Sequence, residues 1–182
     1  MTKLIVCLTG MPGAGKSTIA EGLKSKGFEI INMGNAVRSE AKNRNLEPTG
    51  ENLGKLMLEL REKNGQGAVA ELVKPQIENS KSKVIIIDGI RSYPEIEVLR
   101  KFGKVKLLAI HASTNTRYDF LQKRGRSDDP KTKENFEKRD DRELGVGISN
   151  PIALSDDAIS NNNLTKEELI DEAFRKIHQW IE

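Results

Sequence analysis

Cysteine, aromatic residues and long apolar runs are all scarce in these 182 residues. The lone Cys7 cannot close an internal disulfide, which fits a reducing compartment and a buried structural thiol. The first apolar run, LIVCL at 4–8, leads at once into Gly and Pro and is too short for a signal sequence or a membrane span, so a cytoplasmic protein is expected. Aromatics make up 4%, leaving Ile, Leu and Val to fill the core. A net charge of +3, with basic and acidic residues interleaved, excludes a broad nucleic-acid surface but leaves room for a small anion. Repeats and low-complexity segments are absent, and the two histidines, His111 and His178, are read as core or surface residues.

The length suits a single domain with a sizeable core. Strand-length apolar runs alternate with longer helical patterns, which argues for a parallel sheet covered on both faces. The expected strands are 3–9, 28–32, 83–88, 104–111 and 157–160, with KVIIIDG the clearest because an unbroken β-branched run belongs in a strand buried on both sides. The last helix, 165–182, opens with Thr165 and Glu168 in capping-box spacing. Between the second and third strands, 33–82 is longer than a crossover needs, and its helical periodicity is broken by Gly50, Gly54, Gly65 and Gly67.

The strongest motif is GMPGAGKST at 10–18, which satisfies GxxxxGK[ST] between a strand and a helix. Gly10, Gly13 and Gly15, with Pro12 and Ala14 between them, let backbone N–H groups turn inward around phosphates, and the following helix adds its positive end. Lys16 would reach the β and γ phosphates, Ser17 would bind Mg²⁺, and Thr18 would face the α-phosphate. Asp88, at the tip of the third strand, is the carboxylate expected to hold the Mg²⁺ shell, the Walker-B role. A guanine-reading NKxD is absent, so the expected nucleotide is ATP. These signals define an α/β P-loop NTPase with a five-stranded parallel sheet flanked by helices.

Beyond the two motifs the chain resembles adenylate kinases and other nucleoside monophosphate kinases, in particular an archaeal adenylate-kinase-related branch, with some features of dephospho-coenzyme A kinases. NMGNAVR at 32–38 is similar to the family's TGDxxR, with Asn35 in place of Asp; the resemblance implies that Gly34 and Arg38 meet the acceptor phosphate. NGQGAVAELV at 64–73 resembles the segment lining the acceptor base, implying contacts from Gly67, Ala68 and Val69. DGIRSYPE is similar to DGFPRTxxQ with one residue deleted, which carries Gly89 and Arg91 onto the acceptor side and puts Glu95 where the family reads the base with glutamine. A carboxylate only accepts hydrogen bonds, so Glu95 would suit an adenine N–H or the paired donors of guanine. PIALSDDAISNNNL looks like the stretch near the donor base, with Asn161 the candidate contact or else part of a simple turn.

The resemblance divides the chain into a core of 1–32, 83–112 and 145–182, an acceptor-binding helical insertion at 33–82 and a short lid at 113–144. In the lid, RSDDP followed by NFEKR resembles the family's RxDD and following arginine, implying phosphate contacts from Arg126 and Arg139, with Arg124 and Arg142 as rivals. Arg139 and Arg142, three apart, share a helix face, and Phe136 can anchor that helix. Asp129 and Pro130 suit an N-cap and first helical position, leaving Gly125–Asp129 as the lid loop and most of the segment's acids and lysines in solvent. The implied activity is transfer of the γ-phosphoryl of Mg·ATP to a small phosphorylated acceptor, foremost AMP. The alternatives are a dephospho-coenzyme A or other metabolite kinase, and a slow ATPase serving as an assembly factor. Neither a membrane nor a nucleic acid is an expected partner, and the oligomeric state stays open.

Overall fold

Five parallel strands form one sheet in the computed structural model, which describes residues 3–181. They are β1 (Lys3–Thr9), β2 (Glu29–Asn32), β3 (Val84–Ile90), β4 (Gly103–His111) and β5 (Asp157–Ser160), ordered β2-β3-β1-β4-β5. Central β1 pairs Leu4 with Val84 on one side and with Lys104 on the other. Its residues alternate between two cores. Ile5 and Cys7 join Ile85 and Ile87 on one face, while Leu4, Val6 and Leu8 join Ile86, Leu108 and Ile110 on the other. A strand buried on both sides has no solvent face to alternate toward, which is why it reads as an unbroken apolar run. Each fully buried Ile or Leu contributes roughly 1.5–3 kcal/mol.

In chain order the helices are α1 (Lys16–Ser25), α2 (Met33–Asn43), α3 (Gly50–Asn64), α4 (Ala68–Asn79), α5 (Tyr93–Arg100), α6 (Thr114–Arg124), α7 (Lys133–Val146), α8 (Ser149–Ala153) and α9 (Lys166–Ile181). α1 and α9 cover one sheet face, and α2 to α5 the other. α9 does so through Leu169, Ala173 and Ile177, four apart on one stripe. Its start is fixed by the reciprocal pair expected from the sequence: Thr165 N donates to Glu168 Oε2 at 2.8 Å and Glu168 N to Thr165 Oγ1 at 3.2 Å. No helix among the described residues is long and apolar enough to cross a membrane.

Three expectations change. Gly50 and Gly54 do not interrupt the helical pattern but lie within α3; a Cβ on Gly54 would collide with the Arg142 guanidinium, which crosses there. α7 begins at Lys133 rather than beside Pro130, capped by Thr132, whose Oγ1 accepts from Asn135 N at 3.2 Å. Asp129 is unavailable as a cap because arginines hold its carboxylate. The third change concerns Glu95, which is fully buried and reads no base: Oε1 accepts from Arg61 Nη2 at 2.8 Å, and Oε2 from Arg91 N at 2.8 Å and Ser92 N at 3.2 Å, capping α5. Gly67 lies against Pro94 and Val98 nearby, and Ala68 and Val69 are core residues at 3% exposure each.

Arg61, itself 3% exposed, is therefore the counter-charge of a carboxylate with no route to water. Arg61→Ala is expected to lower the unfolding free energy by about 3 kcal/mol or more, because it strands a buried charge. Adding Glu95→Gln to that variant should recover part of the loss. Denaturant titration of the two variants checks both statements.

Candidate active site

After β1 the chain turns through the glycine-rich loop into α1. Gly15 adopts φ 114°, and a Cβ there would stand 2.5 Å from Asn161 Nδ2. Only glycine lets the loop pass so close, and the closeness has a use. Asn161, 3% exposed at the end of β5, donates from Nδ2 to the Ala14 carbonyl at 2.9 Å and so fixes the loop's backbone. Lys16 folds back over the loop, donating from Nζ to Gly10 O at 2.5 Å and Met11 O at 3.1 Å. Burial pushes its pKa down to about 8 against the opposing field of Asp88.

Asp88 arrives beside this loop through strand register. Leu8 pairs with Asp88 but Thr9 with Ile90, so Gly89 is the extra residue of a bulge at the strand end. The Asp88 carboxyl is 3% exposed; burial raises its pKa, opposed by Lys16 and by the Asn32 amide, which donates to Oδ2 at 2.6 Å. Asn32 also caps α2, its Oδ1 accepting from Asn35 N at 2.8 Å. Ser17 and Asp88 line the same cleft. Among the described residues, no group of three or more His, Cys, Asp or Glu is placed to hold a metal ion. A hydroxyl and one carboxylate, both hard oxygen donors, suit Mg²⁺ that keeps waters and phosphate oxygens as its other ligands.

The cleft, about 460 Å³, is also lined by Pro12, Gly13, Gly15, Lys16, Thr18, Gly34, Arg38, Gly89, Arg91, Arg124, Arg126, Arg139 and Asn161. Four of its five arginines, all but Arg126, are held by carboxylates. Arg38 Nη2 donates to Asp128 Oδ2 at 2.8 Å, and Arg91 Nη1 to Glu143 Oε1 at 2.8 Å. Arg124 grips Asp129 with Nε and Nη2, and Arg139 Nη1 donates to Asp128 O at 3.1 Å and Asp129 Oδ1 at 3.4 Å. Burial alone would raise the Asp129 pKa; the Arg124 bonds, the Arg126 N–H and the nearby guanidinium charges outweigh it and hold the carboxyl below its ordinary value. Arg139 is pushed down by burial first and by Arg91 second. Arg142 points elsewhere, toward Gly50 O at 3.3 Å. It meets Arg38, Arg91 and Arg139 around a small adjoining cavity of about 30 Å³.

Most residues singled out from the sequence thus converge on one cleft. Glu95, Gly67, Ala68 and Val69 do not line it, because the α4–α5 contact absorbs them into the core. Ala14 contributes its backbone only, its side chain being buried. Sequence reasoning missed Asn32, Arg117, Asp128, Asp140 and Glu143. Arg117, 4% exposed, donates to Pro12 O at 3.1 Å and to both oxygens of Asp140 at 2.9 and 2.6 Å, over the Phe136 ring. α6 and α7 are thereby tied to the phosphate loop. The acids of α7 expected in solvent are therefore split: Glu134 and Glu137 are exposed, whereas Glu143 is fully buried and Asp140 mostly so. One signal was present, since Glu143 follows Arg139 by four and shares its stripe.

Comparison with known proteins agrees with this picture. A family model described as an AAA domain matches residues 9–137. A UPF0200 protein of Pyrococcus abyssi is 42% identical, covering 98% of this chain and 94% of that one. The UPF0200 protein of Methanocaldococcus jannaschii is 46% identical over 87% of this chain and 81% of its own length. Among solved structures, a Thermus thermophilus protein superposes with a TM-score of 0.69 at 14% identity, covering 97% of this chain and 98% of that one. Shikimate kinase from Acinetobacter baumannii, in complex with shikimate, gives 0.61 at 15% identity, covering 98% and 94%. At those identities the likeness is one of fold, a five-stranded parallel P-loop kinase sheet flanked by helices. The sequence matches go further: the chain carries an AAA domain and belongs to the UPF0200 proteins.

Proposed function

We propose that the protein is an adenylate-kinase-like phosphotransferase that moves the γ-phosphoryl group of Mg·ATP to a small phosphorylated acceptor, with AMP as the first candidate. One observation carries the reading. A phosphate loop, a strand-end carboxylate and arginines from three separate segments, Arg38, Arg91 and the pair Arg126 and Arg139, face a single cleft. Phosphoryl transfer asks little of a protein beyond positioning and positive charge around three equatorial oxygens, and this is a cleft built of those two things.

In this reading the loop N–H groups and Lys16 hold the β and γ phosphates. Ser17 and Asp88 hold Mg²⁺, which when bound neutralises charge developing between those phosphates. Arg38 and Arg91 orient the acceptor phosphate, while Arg126 and Arg139 face the transferring group. The segment 113–144 acts as the lid that excludes water, and 33–82 as the acceptor-binding unit. Asp128 and Asp129 occupy Arg38, Arg124 and Arg139, and Glu143 occupies Arg91, until substrate phosphates take their place. A second reading, another small-metabolite kinase such as one for dephospho-coenzyme A, gains from one observation: the positions expected to read a purine, Glu95 and residues 67–69, are packed shut.

An assay of ADP release with a panel of acceptors tests the reading, and hydrolysis at one rate whatever the acceptor would sink it. Arg126→Ala and Arg139→Ala are each expected to lower kcat by about 100-fold while the KM for ATP stays within about threefold. The Lys16 pKa of about 8 has a further consequence. Phosphates restore its ammonium form, so above that pH binding must take up a proton. MgATP affinity is expected to fall as pH rises from 8 toward ~10. Calorimetry in buffers of different ionisation enthalpy reads the proton, and Lys16→Met should abolish both the uptake and the slope.

A further inference from the structure

A second groove, also about 460 Å³, runs across the edge strand β2 between α1 on one side and α2 and α4 on the other. It meets the cleft at Ser17, Asn32, Asp88 and Arg126, which line both. Its apolar lining is aliphatic: Ala20, Ile30, Ala36 and Leu72. Among the described residues, no aromatic side chain lines the groove to offer a stacking surface. The polar lining is mixed, with Glu21, Lys24, Glu40, Asp88 and Arg126 charged and a neutral stripe beside them. In a chain with 31% charged residues, α2 turns neutral Asn35, Ser39 and Asn43, four apart, toward the groove, with Gln76 supplied by α4. Amides and hydroxyls both donate and accept, so such a rim matches hydroxyl groups better than charges. The side chains of Ser39, Asn43 and Gln76 make no hydrogen bond among the described residues, and the Arg126 guanidinium at the junction makes no ion pair among them. Glu21, Lys24 and Glu40 line the groove too, Glu40 already engaged by Arg44 at 2.7 Å.

These unused groups open directly onto the site of phosphoryl transfer, while the purine-reading positions are closed. We infer that the groove seats the body of the acceptor, and that this body is hydroxylated and non-aromatic, a sugar or polyol phosphate whose phosphate lies where the groove opens into the cleft. The inference rests on the kinase reading above. An oxygen of the acceptor phosphate forms the new bond to the γ-phosphorus while the bond to the β,γ-bridging oxygen breaks. ADP leaves with that electron pair, and a dianionic acceptor phosphate has no proton to lose.

Ribose 5-phosphate and AMP are the probes, since they share sugar and phosphate and differ by the adenine. The expected kcat/KM for ribose 5-phosphate lies within about threefold of that for AMP. Ser39→Trp, which fills the groove, should lower both by about tenfold or more, each value read against the MgATP dissociation constant of the same variant. Gln76→Leu, similar in size but unable to hydrogen-bond, should lower them by about fivefold and serves if thermal unfolding finds the tryptophan variant misfolded. Turnover of AMP without ribose 5-phosphate, or turnover indifferent to both substitutions, overturns the groove assignment and leaves the kinase reading standing. MgATP binding with no acceptor-dependent ADP from either probe removes the assignment and the phosphorylated acceptor together. Failure to bind MgATP removes the kinase reading itself.

Discussion

The pairing of β1 with β3 sets everything at the cleft. Because Leu8 stands opposite Asp88, the loop that follows β1 and the carboxylate that ends β3 reach the same level of the sheet, one strand spacing apart. The register is strongly specified, since both strands are buried on both faces and a slip by one residue would exchange their two cores. It also brings an ammonium and a carboxyl into a place where water is scarce. Burial works against the charge of each, and each partner's field works against that burial.

A second layer of charge surrounds the first. Arg38, Arg91, Arg124 and Arg139 come from four elements or their connections, and each has a carboxylate from the 125–146 stretch as partner. Buried ion pairs of this kind add little net stability, because desolvation offsets most of the attraction. Their value lies in geometry. Glu143 on α7 holds Arg91 after β3, and Asp128 before α7 holds Arg38 on α2, so the α6–α7 segment is latched to both sides of the cleft. Arg117 fastens the same segment to Pro12 in the phosphate loop.

The sheet was readable because its physics is local: a β-branched run without polar alternation has few other uses, and VIII before Asp88 or LIVCL before Gly10 announces a doubly buried strand. The phosphate loop was readable for a related reason, since glycine spacing, lysine and serine all sit within nine residues. What the sequence hid was partnership at long range. Glu95 looked like a reader of bases because its position in DGIRSYPE matches one; that Arg61, 34 residues earlier, would claim it is a fact of packing between α3 and α5. Gly54 looked like a helix breaker because nothing nearby records that Arg142 needs the space. Asp129 before Pro130 fits a cap, and Thr132 fits one as well. The choice fell to arginines that no local pattern connects to it.

The contact between Asn161 and the phosphate loop spans 147 residues. The loop is written in the first tenth of the chain, yet its last backbone restraint comes from the end of the final strand. During synthesis the motif is therefore complete in sequence long before it is complete in shape, and the central strand likewise waits for β3 and β4 to be made. A chain stopped short of residue 161 would carry every residue of the cradle and lack the strand end that holds it in form. The form of the loop is thus an attribute of the finished sheet, completed late.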